Sequence, residues 1–420
     1  MRFISMLLVV MLAPVLLSGQ QQPTGTVLYL DDLVKEALRT NPEIRASLHE
    51  VDAAHARVHQ AGALDDPELM YMQEGFPGLH FSEAMFTRIE LSQMIRFPSK
   101  LSKETEIAEI NVEHSHHDLF EKELDVVAKL KSAYDELWYA QQAMALNREN
   151  ARLLQQFISI AKTKFGVGGA ALQDVLKANV ELARLENQGT ALLQQETSAK
   201  AMLRAILNRK PGDSLGTAVL PEEVGFTATL DSLQRLARET RPMLMHDSLM
   251  VEESRAMLSL SRREYLPDIR LAVQYMTAPA GDFRGWTVSA GITLPFSPWT
   301  LGKAGSRVDE AEATISKAQA TLTESRNMVQ SNIASLYAKA RSLKQQIDSY
   351  RTVILPQAQM SLKASLTAYQ TGGTDVLMVI DAYRSLVELS MESLMVRMQF
   401  EQAVAELDRQ VGVQDIVTTE

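Results

Sequence analysis

The sequence predicts a mainly α-helical protein that also contains two β-hairpins. Three observations lead to this fold class. Residues 100–165 and 306–355 contain neither Gly nor Pro, several short stretches alternate between apolar and polar residues, and a pattern recurs about 200 residues later in the chain. Long uninterrupted runs of good helix formers favour helix, whereas strict alternation favours strand.

Residues 1–19 are predicted to be a secretory signal peptide. An early Arg2 precedes a mostly apolar run from Ile4 to Leu17, and small residues follow at Ser18 and Gly19. The run is too short to span a bilayer comfortably and no charged stop follows it. We therefore expect cleavage near Gly19 and export of a mature chain without a helical anchor.

The composition excludes several function classes. The chain has no Cys, so it can have neither disulfides nor a lipid on an N-terminal Cys, and it is not a lipoprotein. Its 42 basic and 52 acidic residues give a net charge of −10, which argues against nucleic acid as a partner. There is no nucleophile with a base and no phosphate-binding loop, so we predict that the protein is not an enzyme and needs no cofactor.

The recurring pattern indicates a tandem duplication. FGVGGAALQDVLKANVEL (165–182) and YQTGGTDVLMVIDAYRSL (369–386) align without a gap at an offset of 204. At an offset of 200, Leu30, Asp31, Leu33, Ala37, Thr40 and Pro42 recur as Leu230, Asp231, Leu233, Ala237, Thr240 and Pro242. This period is far too long for a solenoid. We interpret the chain as two copies, residues 28–208 and 228–418, joined by a linker at 209–227.

Each copy is predicted to begin with an amphipathic helix and to continue into a hairpin. The helices, at 30–62 and 230–264, are broken near their start by Asn41-Pro42 and Arg241-Pro242. The hairpins are expected at 67–97 and 267–296, because TRIELSQMI, DIRLAVQYM and WTVSAGITL alternate between an apolar and a polar face, while PELMYMQE fits less well. The chain would therefore supply four strands.

The Gly-free and Pro-free stretches predict very long helices. At 1.5 Å per residue the first would be on the order of 100 Å long, too long for an ordinary globular core. A coiled-coil seam through Val127, Leu130, Tyr134, Leu137 and Met144, interrupted by Gln141, is typical of a bundle of such helices.

Four strands with one apolar face cannot close a barrel within one chain, and their open edges would aggregate. Identical subunits could pool their strands, with the apolar face against lipid, and strands of about nine residues suit an outer membrane. Aromatic residues near the strand ends would then lie at the membrane interfaces, with ordinary sheet packing as the alternative. These are Tyr71, Phe86, Tyr275, Phe283, Trp286, Phe296 and Trp299.

The chain resembles the TolC family of outer-membrane efflux channels over nearly its whole mature length. The resemblance is carried by LDDLVKEALRTNPEI, IELSQMIRFPSKL, TLPFSPWTLGK, ILPQAQMSLKASLTAYQTGGTDVLMVIDAYRSL and the internal repeat. LSQMIRFPSKL is most similar to the CusC/CzcC-like heavy-metal efflux branch, although Ser99 replaces the Gly usual there.

This resemblance implies a homotrimer in which each chain gives four strands to a twelve-stranded β-barrel and long helices to a periplasmic α-helical tunnel. It implies a passive exit duct for metal cations or small toxic compounds, in contact with outer-membrane lipid, a periplasmic adaptor (membrane fusion) protein and an inner-membrane RND-type pump. Two alternatives stay open: the duct of a type I protein secretion system, and a structural periplasmic coiled-coil adaptor.

The resemblance also implies a periplasmic gate beside the two Gly-Gly segments. Gly168, Gly169, Gly372 and Gly373 would form the helix-to-helix turns at the tunnel tip. When these segments are matched to the family motif without gaps, the family's two acidic ring positions fall on Met378 and Asp381. The family's turn Tyr corresponds to Tyr369, and its first-copy Asp corresponds to Asp174. Asp381 would favour cations in a narrow mouth. Alternatively, Asp174 and Asp381 are solvated residues near helix starts.

Two groups of histidines raise the question of a metal site. His55 and His59 are one helical turn apart, and His114, His116 and His117 lie within EHSHHD. The sequence places no third ligand beside either group, so packing is the expected role and no metal site is predicted.

Overall fold

The structure is a computed structural model, which describes residues 27–75, 84–169, 171–221, 225–278, 284–295, 297–298 and 301–414. The predicted signal peptide lies outside the described residues, as do Phe283, Phe296 and Trp299 among the aromatic residues considered above. Most of the described chain is helical, which confirms the mainly α-helical class.

The described elements follow one another in a repeating order of helices, hairpin and long helices. They are β1 (Val27–Leu28), α1 (Leu30–Thr40), α2 (Pro42–Ala61), β2 (Glu68–Glu74), β3 (Phe86–Ile95), α3 (Pro98–Gly166), α4 (Leu172–Ile206), β4 (Thr217–Ala218), α5 (Leu230–Thr240), α6 (Pro242–Arg263), β5 (Ile269–Thr277), β6 (Arg284–Ile292), α7 (Leu301–Ser349), α8 (Leu355–Thr371) and α9 (Val376–Val411). Within these described segments, no helix is both long and apolar enough to cross a membrane.

The two X-Pro pairs separate α1 from α2 and α5 from α6. Asn41 ends α1 and caps α2, because its side-chain oxygen accepts a hydrogen bond from the Glu43 amide at 2.8 Å. Its amide group donates to the Ile206 carbonyl at 2.8 Å and so ties this corner to α4. At the second X-Pro pair, Arg241 makes no side-chain cap and donates to Glu121 of α3 at 2.6 Å instead.

The four longer strands form one antiparallel sheet in the order β2-β3-β5-β6. Tyr71, Ile89, Tyr275 and Trp286 lie opposite one another in one row across it. This row belongs to an apolar face whose side chains are exposed in the single chain, Tyr71 by 63% and Trp286 by 73%. In the described segments, β2 and β6 each pair along one side only.

The predicted seam of α3 is buried where the short strands meet it. Leu130, Tyr134 and Leu137 are fully buried. The Tyr134 hydroxyl donates to the Leu28 carbonyl at 2.7 Å, and Gln141, which interrupts the seam, accepts from the Ala218 amide at 2.9 Å. These contacts support the parallel pairing of β1 with β4. β4 lies within residues 209–227, the segment that the sequence predicts to be a linker.

The second long helical stretch is less regular than its composition suggests. α7 ends at Ser349 and a π-helical turn spans Tyr350–Ile354 before α8 begins. Pro356 near the start of α8 has no amide hydrogen, so the regular α-helical ladder is interrupted here. Pro356, which directly follows the Pro-free stretch, therefore accounts for the break.

Candidate functional site

The candidate site is the end of the helical body where α3 turns into α4 and α8 turns into α9. Gly168 has φ +75° and Gly372 has φ +81°, a left-handed conformation that side chains with a Cβ rarely adopt. The amide of Gly169 donates to the Lys164 carbonyl at 2.8 Å, and that of Gly373 donates to the Ala368 carbonyl at 2.8 Å. Both turns therefore close α3 and α8 with the same hydrogen bond.

Tyr369 lies buried in the last turn of α8. Its ring packs against Phe157 of α3, with centroids 5.4 Å apart. The ammonium nitrogen of Lys164 is 4.5 Å from the centroid of the Tyr369 ring and donates to the Tyr369 carbonyl. Burial raises the pKa of the Tyr369 hydroxyl, and the nearby carboxylates of Asp174 and Asp375 raise it further. Within the described part of the chain this hydroxyl has no hydrogen-bond partner.

The other residues singled out from the sequence lie on the helices that follow the turns. Asp174 is half-buried in the first turn of α4. Met378, which is 62% exposed, and the exposed Asp381 are three residues apart on α9 and so project from neighbouring positions of one helix face. The single chain thus brings Tyr369 near Asp174, and it leaves Met378 and Asp381 open to solvent.

Two polar links at this end were not found from the sequence. Glu181 of α4 is buried and accepts a hydrogen bond from Arg384 of α9. The pKa of Glu181 is lowered, chiefly because of this hydrogen bond, while burial opposes the shift. The sequence contains one sign of this link: Glu181, although charged, lies at helical spacing from Ala178 and Leu185 and so falls on the apolar face of α4.

The second link joins α9 to α3. The Tyr383 hydroxyl donates to the Asn150 carbonyl at 2.9 Å, and burial raises its pKa. Together with the Lys164 contact, these links connect the α3–α4 hairpin to the α8–α9 hairpin at the turns and along the helices that flank them.

A sequence profile and two relatives each match this chain over most of its length. The sequence profile described as "Outer membrane efflux protein" matches residues 33–209 and again residues 233–413. The cobalt-zinc-cadmium resistance protein CzcC of Cupriavidus metallidurans is 25% identical over 404 residues, which cover 92% of this chain and 90% of that protein. Nodulation protein T of Rhizobium leguminosarum bv. trifolii is 21% identical, over 85% of this chain and 79% of that protein.

Solved structures share the fold. The outer-membrane channel OprN superposes with a TM-score of 0.77 at 17% identity, covering 91% of this chain and 89% of that one. CusC, described as forming a transmembrane channel, superposes with a TM-score of 0.75 at 17% identity, covering 91% and 92% of the two chains.

Proposed function

This chain belongs to the outer membrane efflux protein family, and from that premise we propose that it acts as a homotrimeric exit duct for metal cations or small toxic compounds. Family membership makes it an outer-membrane channel of a tripartite efflux system and a transport duct rather than an enzyme. The trimer, its barrel, its gate and its cargo are the proposed parts.

The observation that carries the proposal is the exposed apolar face of a sheet whose two outer strands, β2 and β6, each have an unpaired edge in the described part of the chain. Leu69, Leu91, Val273 and Val288 continue this face in the next row of the register. Such a face is unfavourable in water and favourable in lipid, and open strand edges are not tolerated in lipid. Three copies that pair β6 of one chain with β2 of the next would close a twelve-stranded barrel and leave no edge.

The opposite face of the sheet suits a water-filled lumen. Arg88 lies 3.2 Å from Glu74, and Arg270 lies 3.6 Å from Glu90, each measured between side-chain nitrogen and oxygen. Charged pairs on one face and apolar residues on the other are the pattern of membrane barrels with an aqueous interior. Cargo would leave through this interior.

The turn end would form the periplasmic gate. Three copies would bring three Asp381 side chains around one mouth, where their charge favours cations, with Met378 as an apolar constriction one turn away. Tyr369 and Asp174 would lie behind this ring, and the links through Lys164 and Glu181 would set how easily neighbouring hairpins separate. The exposure of Asp381 and Met378 in the single chain supports this arrangement.

Cargo and partners follow from the same premise. The relative CzcC is described as a cobalt-zinc-cadmium resistance protein, and an acidic mouth suits such cations. As a passive transport duct, it would take its driving force from an RND-type pump, reached through a periplasmic adaptor. Family membership disfavours the structural-adaptor alternative, and no observation favours protein secretion over ion efflux.

Cross-linking between edge strands tests the trimer. Because the chain has no Cys, a pair introduced at Met70 of β2 and at Thr287, Ser289 or Gly291 of β6 is the sole source of disulfides. In oxidised outer membranes one of these pairs should give covalent dimers and trimers. The control keeps the β6 position and introduces the second Cys at Leu48, on the exposed surface of α2, instead of at Met70. This control should give no covalent dimers or trimers. Monomers alone from all three pairs, in correctly folded protein, would contradict the pooled barrel.

A further inference from the structure

A groove between α2, α3 and α6 contains a cluster of metal-ligating side chains that the proposed duct does not use. The groove has a volume of about 860 Å³, and its lining includes His114, Asp118, His246, Met250 and Glu253. His114 lies in the early part of α3, on the side of the helical body that is near the sheet and far from the Gly-Gly turns.

Helical spacing places these side chains face to face. On α6, His246, Met250 and Glu253 are separated by four and three residues, so they share one face. On α3, His114 and Asp118 are separated by four residues and face them. The rings of His114 and His246 have centroids 4.4 Å apart.

The buried imidazole of His114 makes no well-aligned hydrogen bond. His114 is only 7% exposed, and within the described segments neither ring nitrogen meets hydrogen-bond geometry, although Nε2 faces the Glu253 carboxylate. Leaving a buried polar group unpaired is costly, and buried polar atoms nearly always find a partner. The His114 ring nitrogens are therefore available to a ligand that enters the groove.

The separation of His114 from Glu253 matches two ligands of one metal ion. His114 Nε2 lies 3.4 Å from Glu253 Oε2. Bonds of roughly 2.0–2.2 Å in tetrahedral geometry separate neighbouring ligand atoms by about 3.4 Å. The two atoms therefore already lie at the spacing that a shared tetrahedral ion requires.

A third donor is within reach on α6, where His246 would need only a side-chain rotation to join His114 and Glu253. In the described residues no three His, Cys, Asp or Glu side chains yet surround one point. Among His114, His246 and Glu253, His246 has the most exposed side chain. Its ring nitrogens lie near two carboxylates: Nδ1 is 3.4 Å from Asp247 Oδ1, and Nε2 is 3.9 Å from Asp118 Oδ1. A carboxylate beside one ring nitrogen is the usual device that orients a histidine ligand.

We propose that His114, His246 and Glu253 bind a divalent transition-metal ion of the Zn²⁺ type, with Asp118 or water as the fourth ligand. Two imidazoles and a carboxylate suit Zn²⁺ or Co²⁺ and are a poor set for Mg²⁺ or Ca²⁺, which prefer oxygen ligands. Binding would join α3 to α6 across the groove. The site goes beyond the proposed function, because it does not require that the ion be transported.

Calorimetry on the full-length protein tests this site. The protein is purified in detergent without a His-tag and titrated with ZnCl₂, and Co²⁺ absorption then reports the geometry. We expect one site per chain with a tetrahedral Co²⁺ spectrum. His114→Gln and Glu253→Gln should each weaken Zn²⁺ binding more than about tenfold, since removing a ligand costs at least as much as removing its outer partner.

The control is His49→Gln, which changes an exposed histidine on α2 and should bind as the unmodified protein does. Circular dichroism verifies folding, and Glu253→Gln serves if His114→Gln fails to fold. Equal affinity in all variants, competition by Mg²⁺ at similar concentration, or no binding would each overturn the site. Cross-linking of the edge strands is independent of these results, so a failed metal site and a failed duct can be distinguished.

Discussion

The ammonium group of Lys164 lies 4.5 Å from the centroid of the Tyr369 ring and also donates to the Tyr369 backbone carbonyl. This contact joins the last turn of α3 to the last turn of α8, so it connects the two hairpins of one chain at their turns. Its position at a helix end, where cations are favoured, adds to the attraction.

Lys164→Met is expected to loosen this end of the protein. The substitution removes the cation–π contact and the hydrogen bond, worth about 1 kcal/mol together. Backbone amides at the end of α8 should exchange with deuterium faster, and channel openings should become more frequent. Lys162→Met, at an exposed position one half-turn earlier, is the control. Equal exchange rates in the two variants would contradict a role for Lys164.

Gly372→Ala is expected to destabilise the α8–α9 turn by about 1 kcal/mol, because φ +81° is left-handed. The space around Gly372 is open, so the cost comes from the backbone alone. Gly373→Ala is the matched control, since its added Cβ meets the Ala368 carbonyl at an ordinary 3.6 Å. Hydrogen exchange around the turn measures both. A Gly373→Ala effect as large as that of Gly372→Ala would refute the conformational argument.

Acidification is expected to weaken the link between α4 and α9. The pKa of Glu181 lies below its ordinary value of 4.5 in the folded protein, so its stabilising contribution is present above that value and is lost as pH falls through the folded-state pKa. Amides near Tyr383 should therefore exchange faster relative to the rest of α9 as the pH falls below 4.5. Glu181→Gln should remove this local pH dependence, whereas Glu186→Gln, at an exposed site of the same helix, should retain it. A local pH dependence that persists in Glu181→Gln would assign it to another group.

Asp381→Asn is expected to reduce cation preference. The substitution removes three carboxylates from the proposed mouth while keeping the size of the side chain. Reversal potentials in a salt gradient across a planar bilayer measure the change. Asp32→Asn removes an exposed carboxylate from α1, far along the chain from the turns, and should leave selectivity unchanged. Equal selectivity in all three proteins would place the selective charge elsewhere.

Periodicity in the sequence predicted the strands, because a strand with one apolar and one polar face leaves a local alternation. WTVSAGITL alternates, and Trp286 and Val288 lie on the exposed apolar face. PELMYMQE alternates poorly because Met70 and Met72 occupy the polar face opposite Leu69 and Tyr71, and Met is apolar as well. The strand was predictable, but its faces could not be told apart from hydropathy.

Contacts between distant segments were beyond the reach of sequence patterns. Glu181 and Arg384 are 203 residues apart, and His114 and His246 lie on α3 and α6, two helices separated by several other elements. The pairing of β1 with β4 joins two-residue strands too short for any periodicity. These contacts depend on which helices become neighbours, and that is decided by packing over the whole chain.

Single-channel recording in a planar bilayer would show whether three chains together form a barrel that conducts ions. Purified protein that lacks residues 1–19, the predicted signal peptide, is added to one side of the bilayer in KCl. We expect discrete openings that favour cations, from a sample whose mass in solution corresponds to three chains. A folded trimeric sample that inserts into the bilayer without any openings would contradict it.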